Sequence, residues 1–568
     1  MSRTLFAPGA SIMTTHYGQY EDQKHPIAAR IWGHRLNIGQ HWMEYMLEFL
    51  SVLAGFKYRL GQGLPDHSDQ ENYLTEYCIP TRLGLRRFVF YDEREKKRDL
   101  RDTQAVDELR RHLRRLLPET NGPASDDVLD QVRALLRSFS AVEEDRSWFA
   151  KTLFPVHQEF LLWEARRKTD DSKRRRALFD SSDLARLDDA MDFRSRNFFA
   201  RGGELYYLIL SAGTEGRPER RQAICDGLKM LLTQHNKSLG QLAKAIEGAW
   251  GELISADAAS VSGTVGWILD PGCALYEQIA DDLYTFLQND LDSLECLELL
   301  AHLIGFHIIS YIYHRAHTTS DPARHASGSC LDACRPALLV DLLGDQDGGV
   351  VRDYSAGLLR EQDDLQLRQA RALIMQKLRV WADQEPDDSQ LLAHLELQAE
   401  QFFQIGQTKT RGKYNQSLGE VRASYTATRL DREGLIESFG NTLYETLSTE
   451  FRKNFLGVHR KVGRAIGLIA PRKGPAMRFA LGDTLLKTLL MAMVPPGAEL
   501  SFGEFLERLW LRYGIVVGPG EAYASGLLTR LRINEEFYAR NRDALLGRML
   551  RAGLLTQYSD ATALVRRR

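Results

Sequence analysis

The sequence predicts a mainly α fold: a multi-helix body with few short strands and a C-terminal winged-helix-like domain. Three observations predict it. Apolar residues recur at helical spacing along most of the chain, as in the charged, amphipathic segments 362–384 and 389–405. Stretches that read as strands are short, with 85–91 and 336–341 the clearest. From Arg452 onward the charge turns positive, and helix, helix, helix and short strand follow one another.

A chain of 568 residues is long enough for several domains. Three are expected: an N-terminal helical domain (1–255), a central helical domain with a His/Cys-rich loop (264–430), and a basic winged-helix-like domain (431–568). The hydrophobic share of 43% with 26% charged residues is that of a globular protein. Residues 452–568 hold 20 Lys and Arg against 9 Asp and Glu, a net of +11, while the rest of the chain holds 54 against 67, a net of −13. Such asymmetry points to a polyanion-binding end, to attraction between the two parts, or to an acidic partner subunit. The first residues lack the apolar run of a secretory signal, and six cysteines in a chain of this size form no disulfide framework. A cytoplasmic protein without a membrane partner is expected.

In order, residues 41–50 form a helix that is apolar almost all round and hence buried. His41, Glu44 and Glu48 share one side of it; they can bind a metal, but a polar stripe satisfied by neighbouring chain is the favoured reading. Residues 85–91 read as a strand, and 102–117, 126–138 and 148–167 as helices. The basic cluster at 166–168 and 173–176 is a phosphate contact or a solvated loop. In segment 192–204, Arg194, Arg196 and Arg201 precede Gly202 and Gly203 and an apolar helix. Glycines let the backbone approach a ligand and a helix start offers free N–H groups, so these five residues are a candidate anion site. With Phe198 and Phe199 they also suit a stacked base. The competing reading is a structural loop that caps a buried helix. The segment lacks the Gly-Lys-Ser/Thr ending of a P-loop.

Segment 256–263 reads as a hinge. Helix then runs from Tyr276 to about His317, broken near Asn289 and Asp290. His314, His317, Cys330 and Cys334 can supply a two-plus-two zinc set across a loop, although the spacing is not that of a standard finger. Asp341, Asp345, Asp347 and Asp353 lie where a metal-dependent nuclease would place carboxylates, without a Lys at the accompanying spacing. Residues 406–429 read as an exposed polar segment and 434–456 as a helix.

In the basic region, 464–470 and 476–480 read as paired strands, with Arg472 and Lys473 at the turn. Asp483 is the expected N-cap of a helix over 484–494. Ser501 and Glu504 have capping-box spacing, Gly514 supplies a left-handed exit, and Asn534 starts the last helix. Tyr538, Leu545, Leu546, Met549 and Leu550 cover one arc of it, with Arg540, Arg548 and Arg551 opposite. Residues 554–558 complete the order of a winged helix-turn-helix, whose last helix enters a DNA groove. Arg472, Lys473, Arg540, Arg548 and Arg551 are the candidate DNA contacts.

Residues 32–35, 43–50 and 200–204 resemble stretches of large, uncharacterised helical subunits of bacterial anti-phage defence systems. The resemblance carries no catalytic motif and implies membership of a multi-protein complex. Together these readings lead to a non-catalytic DNA-binding or scaffold subunit whose partners are duplex DNA or a DNA-bound protein and other subunits. The alternatives are a divergent metal-dependent nuclease or hydrolase centred on 302–353, and a winged-helix regulator. No cofactor is expected beyond zinc.

Overall fold

The computed structural model describes residues 31, 32, 36, 38–61, 76–92, 100–116, 118, 119, 122, 123, 125–142, 146–167, 191, 192, 199, 201–254, 260–264, 268, 272–320, 335–344, 349–403, 411–428, 431–559 and 562–566. The protein is mainly helical. It divides into two compact units, one of Gly39–Trp267 and Leu287–Ile304, the other of Met1–Ile38, Ile268–Phe286 and Gly305–Arg568. Residues 431–568 thus share a unit with most of the central segment.

The first unit contains α1 (Trp42–Gly55), β1 (Glu76–Pro80), α2 (Leu83–Phe90), α3 (Leu100–Leu116), α4 (Asp126–Arg137), α5 (Gly202–Gly213), α6 (Pro218–Thr233), α7 (Lys237–Ile254) and β2 (Ser260–Thr264). Strand β2 pairs antiparallel with β1, Glu76 opposite Thr264, where the sequence suggested a hinge. Helix α2 replaces the strand expected at 85–91. Leu85, Phe88 and Val89 have helical spacing, and all eight residues of α2 are buried, so burial leaves no polar alternation to read. Glu247 accepts from the Leu85 amide at 2.8 Å and holds the helix start. Arg87 lies between the rings of Trp148 and Trp250, at 4.5 and 4.4 Å, and donates to Asp102 at 2.9 Å. Arg86 is buried beside it, and desolvation lowers its pKa to about 10.

Residues 148–167 are not one helix. Two 3-10 turns, Trp148–Ala150 and Gln158–Phe160, flank Pro155, which cannot continue a helical ladder. Trp148, Leu153, Val156, Phe160 and Leu162 bury their side chains in the same core as α2 and α7.

The second unit opens with α8 (Ala274–Leu287). Helix α9 (Ser293–Ser320) follows the expected break and contributes its later part here. Among the described residues, Ser293–Thr318 is long and apolar enough to cross a bilayer, but 89% of its most apolar window is buried within the protein, as in a core helix. Then come β3 (Leu338–Leu339), α10 (Val350–Gln384), α11 (Asp388–Phe403), α12 (Arg411–Thr428) and α13 (Arg432–Ile466). The polar segment read as exposed is helix α12. Its buried stripe of Tyr414, Leu418 and Val421 packs against α13 and supplies enough apolar surface to order it.

Helix α13 runs to Ile466 and ends in Gly467 at φ 83°, so the first half of the strand expected at 464–470 is helical. Strand β4 (Ile469–Ala470) pairs antiparallel with β5 (Arg478–Phe479). Helix α14 (Asp483–Met493) has Gly482, rather than Asp483, at its N-cap. Strand β6 (Glu499–Ser501) leads into α15 (Phe502–Tyr513), where Ser501 and Glu504 form the expected capping box. Gly514 exits at φ 72°; a Cβ there would also meet the Pro336 carbonyl oxygen at 1.9 Å. Next are β7 (Ile515–Val516), α16 (Pro519–Ala524), α17 (Leu527–Leu531), α18 (Glu535–Arg551), β8 (Leu555–Ser559) and β9 (Thr562–Arg566). Asn534 caps α18 by accepting from the Glu536 amide. The last sheet is antiparallel in the order β6–β9–β8. Strand β7 instead pairs in parallel with β3, Ile515 opposite Leu338.

Asn541 of α18 secures that junction. Its buried amide donates to the carbonyls of Val340 and Val517 at 3.0 Å and accepts from the Leu342 amide at 2.9 Å.

Candidate functional site

The start of α5 is where the anion site was expected. Arg201 adopts a left-handed conformation (φ 68°), which turns its amide and that of Gly203 toward one point. The point is occupied by the Glu48 carboxylate, which accepts from Arg201 N at 3.1 Å, Gly203 N at 2.8 Å and Gln40 Nε2 at 3.1 Å. A Cβ on Gly203 would lie 2.3 Å from the Phe49 amide nitrogen, so close approach of α1 and α5 requires glycine. A negative group therefore does sit at this helix start, as the dipole favours, but it belongs to the chain. Glu44, one turn before Glu48, pairs with Arg146 at 2.5 Å and accepts from the His41 amide at 2.7 Å. His41 accepts from Met43 N. The polar stripe of α1 is thus satisfied by neighbouring chain. Arg194 and Arg196 lie outside the described residues, as do 168 and 173–176.

Of the candidate zinc ligands, His314 places Nε2 3.1 Å from the Cys273 sulfur, and His317 places Nε2 3.1 Å from the Gln362 side-chain oxygen. Cys330 and Cys334 lie outside the described residues. Among the described residues, no three His, Cys, Asp or Glu side chains gather as a metal-holding group. His302 bonds the Glu298 carbonyl, and His307 meets Asp282 at 3.2 Å. Asp341 is buried; it accepts from the Leu343 and Gly344 amides and from Arg478 at 2.5 Å. Asp353 stands in the first turn of α10, largely exposed beside Arg352. Asp345 and Asp347 lie outside the described residues.

The basic region spends part of its charge internally. Arg460 pairs with Asp363 at 2.5 Å, Arg478 with Asp341 at 2.5 Å, Arg530 with Glu361 at 3.0 Å, and Arg512 with Asp282. Each acid lies in the central segment, so attraction between the oppositely charged parts is one real source of the asymmetry. Arg548 binds Asp483 and the Leu481 carbonyl, and Arg542 pairs with Asp543. Arg472 and Lys473 are exposed on the turn between β4 and β5, and Arg540 and Arg551 are exposed on α18. The five candidate DNA contacts therefore divide: four face solvent, and Arg548 is half-buried in an ion pair.

One buried constellation had no signal in residue spacing. Tyr313 of α9 bonds His459 Nδ1 at 3.0 Å, and His459 Nε2 meets Asp363 Oδ1 at 2.9 Å. The neutral imidazole that donates from Nε2 and accepts at Nδ1 satisfies both partners. Burial lowers the His459 pKa, against the opposing pull of Asp363. Burial alone would raise the pKa of Asp363, but hydrogen bonds and charge from His459 and Arg460 outweigh it and the net shift is downward. Both shifts favour the native state at neutral pH. The His459 contribution is present above the unfolded value of about 6.5 and is lost as pH falls below it; the Asp363 contribution is lost at still lower pH, below about 3.9. Calorimetric melting should therefore show the transition temperature falling from pH 7 to 5, and His459→Gln should flatten that part of the profile. No family model, no curated protein and no solved structure matches the chain.

Proposed function

We propose that this protein is a non-catalytic, cytoplasmic subunit of a multi-protein bacterial system, of the anti-phage defence kind, that binds duplex DNA or a DNA-bound protein through its basic end. The observation that carries this reading is the order of the last elements. Helix α14, strand β6, helix α15, further helices and the β8–β9 hairpin, with β9 central in the sheet, follow the order of a winged helix. Arg472 and Lys473 on one exposed turn, with Arg540 and Arg551 on the helix before the hairpin, offer cations to phosphate.

Binding to a short duplex should weaken steeply between about 50 and 200 mM salt, and replacing Arg472, Lys473, Arg540 and Arg551 with Ala should make the dependence shallower. Absence of salt-dependent binding by the wild type at low ionic strength would refute the DNA role. Stoichiometric zinc, or divalent-dependent cleavage abolished by Asp341→Ala, would replace the scaffold reading with the nuclease one.

A specific observation favours the protein-docking form of the proposal. Helix α18 begins with two exposed acids, Glu535 and Glu536, at the end that a groove-reading helix presents to bases. Its Arg542 and Arg548 are engaged with Asp543 and Asp483. Such a surface suits a partner of mixed charge better than bare phosphate.

A further inference from the structure

Beside the β3–β7 junction, segments distant in sequence enclose a pocket that none of the candidate sites above uses. Its walls come from α8, α9, the approach to β3 and the end of α15, all within the second unit. Leu275, Ile309, Leu338 and Leu468 make much of the surface apolar, and the rings of Phe306 and Tyr513 meet edge to face at 5.1 Å. Arg335, Arg512 and His314 also line it, while no Asp or Glu does among the described residues. Arg512 is held from behind: Nε donates to Asp282 and Nη2 to the Gln278 carbonyl at 3.2 Å, which leaves Nη1 for further acceptors. Asp282 itself is fully buried and is not part of the pocket wall. Gln278 Nε2 in turn donates to the Arg512 carbonyl at 2.6 Å, so α8 and α15 are tied in both directions. The Arg335 guanidinium stands 5.7 Å from the centre of the Trp510 ring. The pocket is partly open to solvent, and its volume of about 40 Å³ holds roughly three water-sized groups at about 10–15 Å³ each.

We infer that this pocket binds a short-chain carboxylate, of acetate or propionate size, with Arg335 and Arg512 as its cationic anchors. The planar guanidinium presents paired donors that match the two oxygens of a carboxylate. A small carboxylate fits the volume, and the apolar walls suit the methyl or ethyl group behind it. The same walls disfavour a dianion such as phosphate, which would have to shed more of its water to enter. A mostly apolar lining with a few polar groups that fix orientation is the general character of small-molecule sites. The bound carboxylate would join α8, α9 and the end of α15 through one contact set, which links the core helices to the winged-helix-like end. The inference stands independently of whether that end binds DNA.

The test uses the full-length protein and saturation-transfer NMR at fixed ionic strength. Acetate is the probe, and acetamide is the neutral control of the same shape. Acetate should give a saturable signal with a Kd of roughly 1 mM, and acetamide should bind at least ~10-fold more weakly, a comparison that needs no variant. Arg335→Gln should weaken acetate binding by ~10-fold. Ser310→Met, which fills the pocket and keeps both arginines, should abolish the signal; the melting curves of both variants are compared with the wild type. Equal binding of acetate and acetamide by the wild type would overturn the inference. So would variants that melt like the wild type and bind acetate unchanged. Inorganic phosphate that displaces acetate at concentrations below acetate's own Kd would overturn the assignment to a carboxylate.

Discussion

Replacing Glu48 with Ala should destabilise the first unit by about 2–6 kcal/mol, because two buried backbone donors lose their acceptor. Glu48 is fully buried and accepts from Arg201 N, Gly203 N and Gln40 Nε2. Its removal leaves two backbone donors at the start of α5 with neither water nor an acceptor, each costing about 1–3 kcal/mol. It also removes the negative charge from the positive end of a helix dipole. Glu48→Gln should cost less, because an amide oxygen can still accept from one of the amides. Urea unfolding followed by hydrogen exchange of the α5 amides checks both; protection should fall first at Arg201 and Gly203. If the α5 amides keep their wild-type protection in Glu48→Ala, the carboxylate is not what holds this helix start.

The second large effect is expected at Asn541→Leu. Leucine has the branching of asparagine, a larger volume and none of its polar atoms, so the change removes bonds without opening a cavity. The Val340 and Val517 carbonyls and the Leu342 amide would lose their side-chain partner together. The expected cost is about 3 kcal/mol or more. Because these groups flank the β3–β7 pairing, the loss should appear as faster proteolysis within residues 514–534 while the first unit's melting stays unchanged. A variant as resistant as the wild type would assign the stability of this junction to the apolar contacts around Tyr538, Leu545 and Met549.

These two residues mark where the sequence was legible and where it was not. The mainly helical fold was readable because apolar spacing and end signals agree: Ser501 with Glu504, Gly514 and Asn534 all act as their local chemistry dictates. Local rules fail where long-range burial decides. Leu83–Phe90 is buried on every side, so its character as a helix comes from packing against α7. The Arg201–Gly203 turn was recognised as a place for an anion, but nothing nearby says that the anion is Glu48, 153 residues earlier. The charge excess of the C-terminal region was visible in composition. Its partial use in pairs with Asp282, Asp341, Glu361 and Asp363 depends on tertiary placement, which composition does not contain.

The parallel pairing of β3 with β7 has a consequence for the order of synthesis. Leu338 and Leu339 leave the ribosome long before Ile515 and Val516 exist to pair with them. At about 5–20 residues per second, that interval lasts roughly ten seconds or more. During it, the amides of Leu338 and Val340, which bond the Gly514 and Val516 carbonyls in the finished protein, have no ladder to join. The second unit therefore closes late, with a contact of high sequence separation that slows its folding. Expression at reduced temperature, or with a chaperone that shields apolar nascent chain, should therefore raise the soluble yield of the protein.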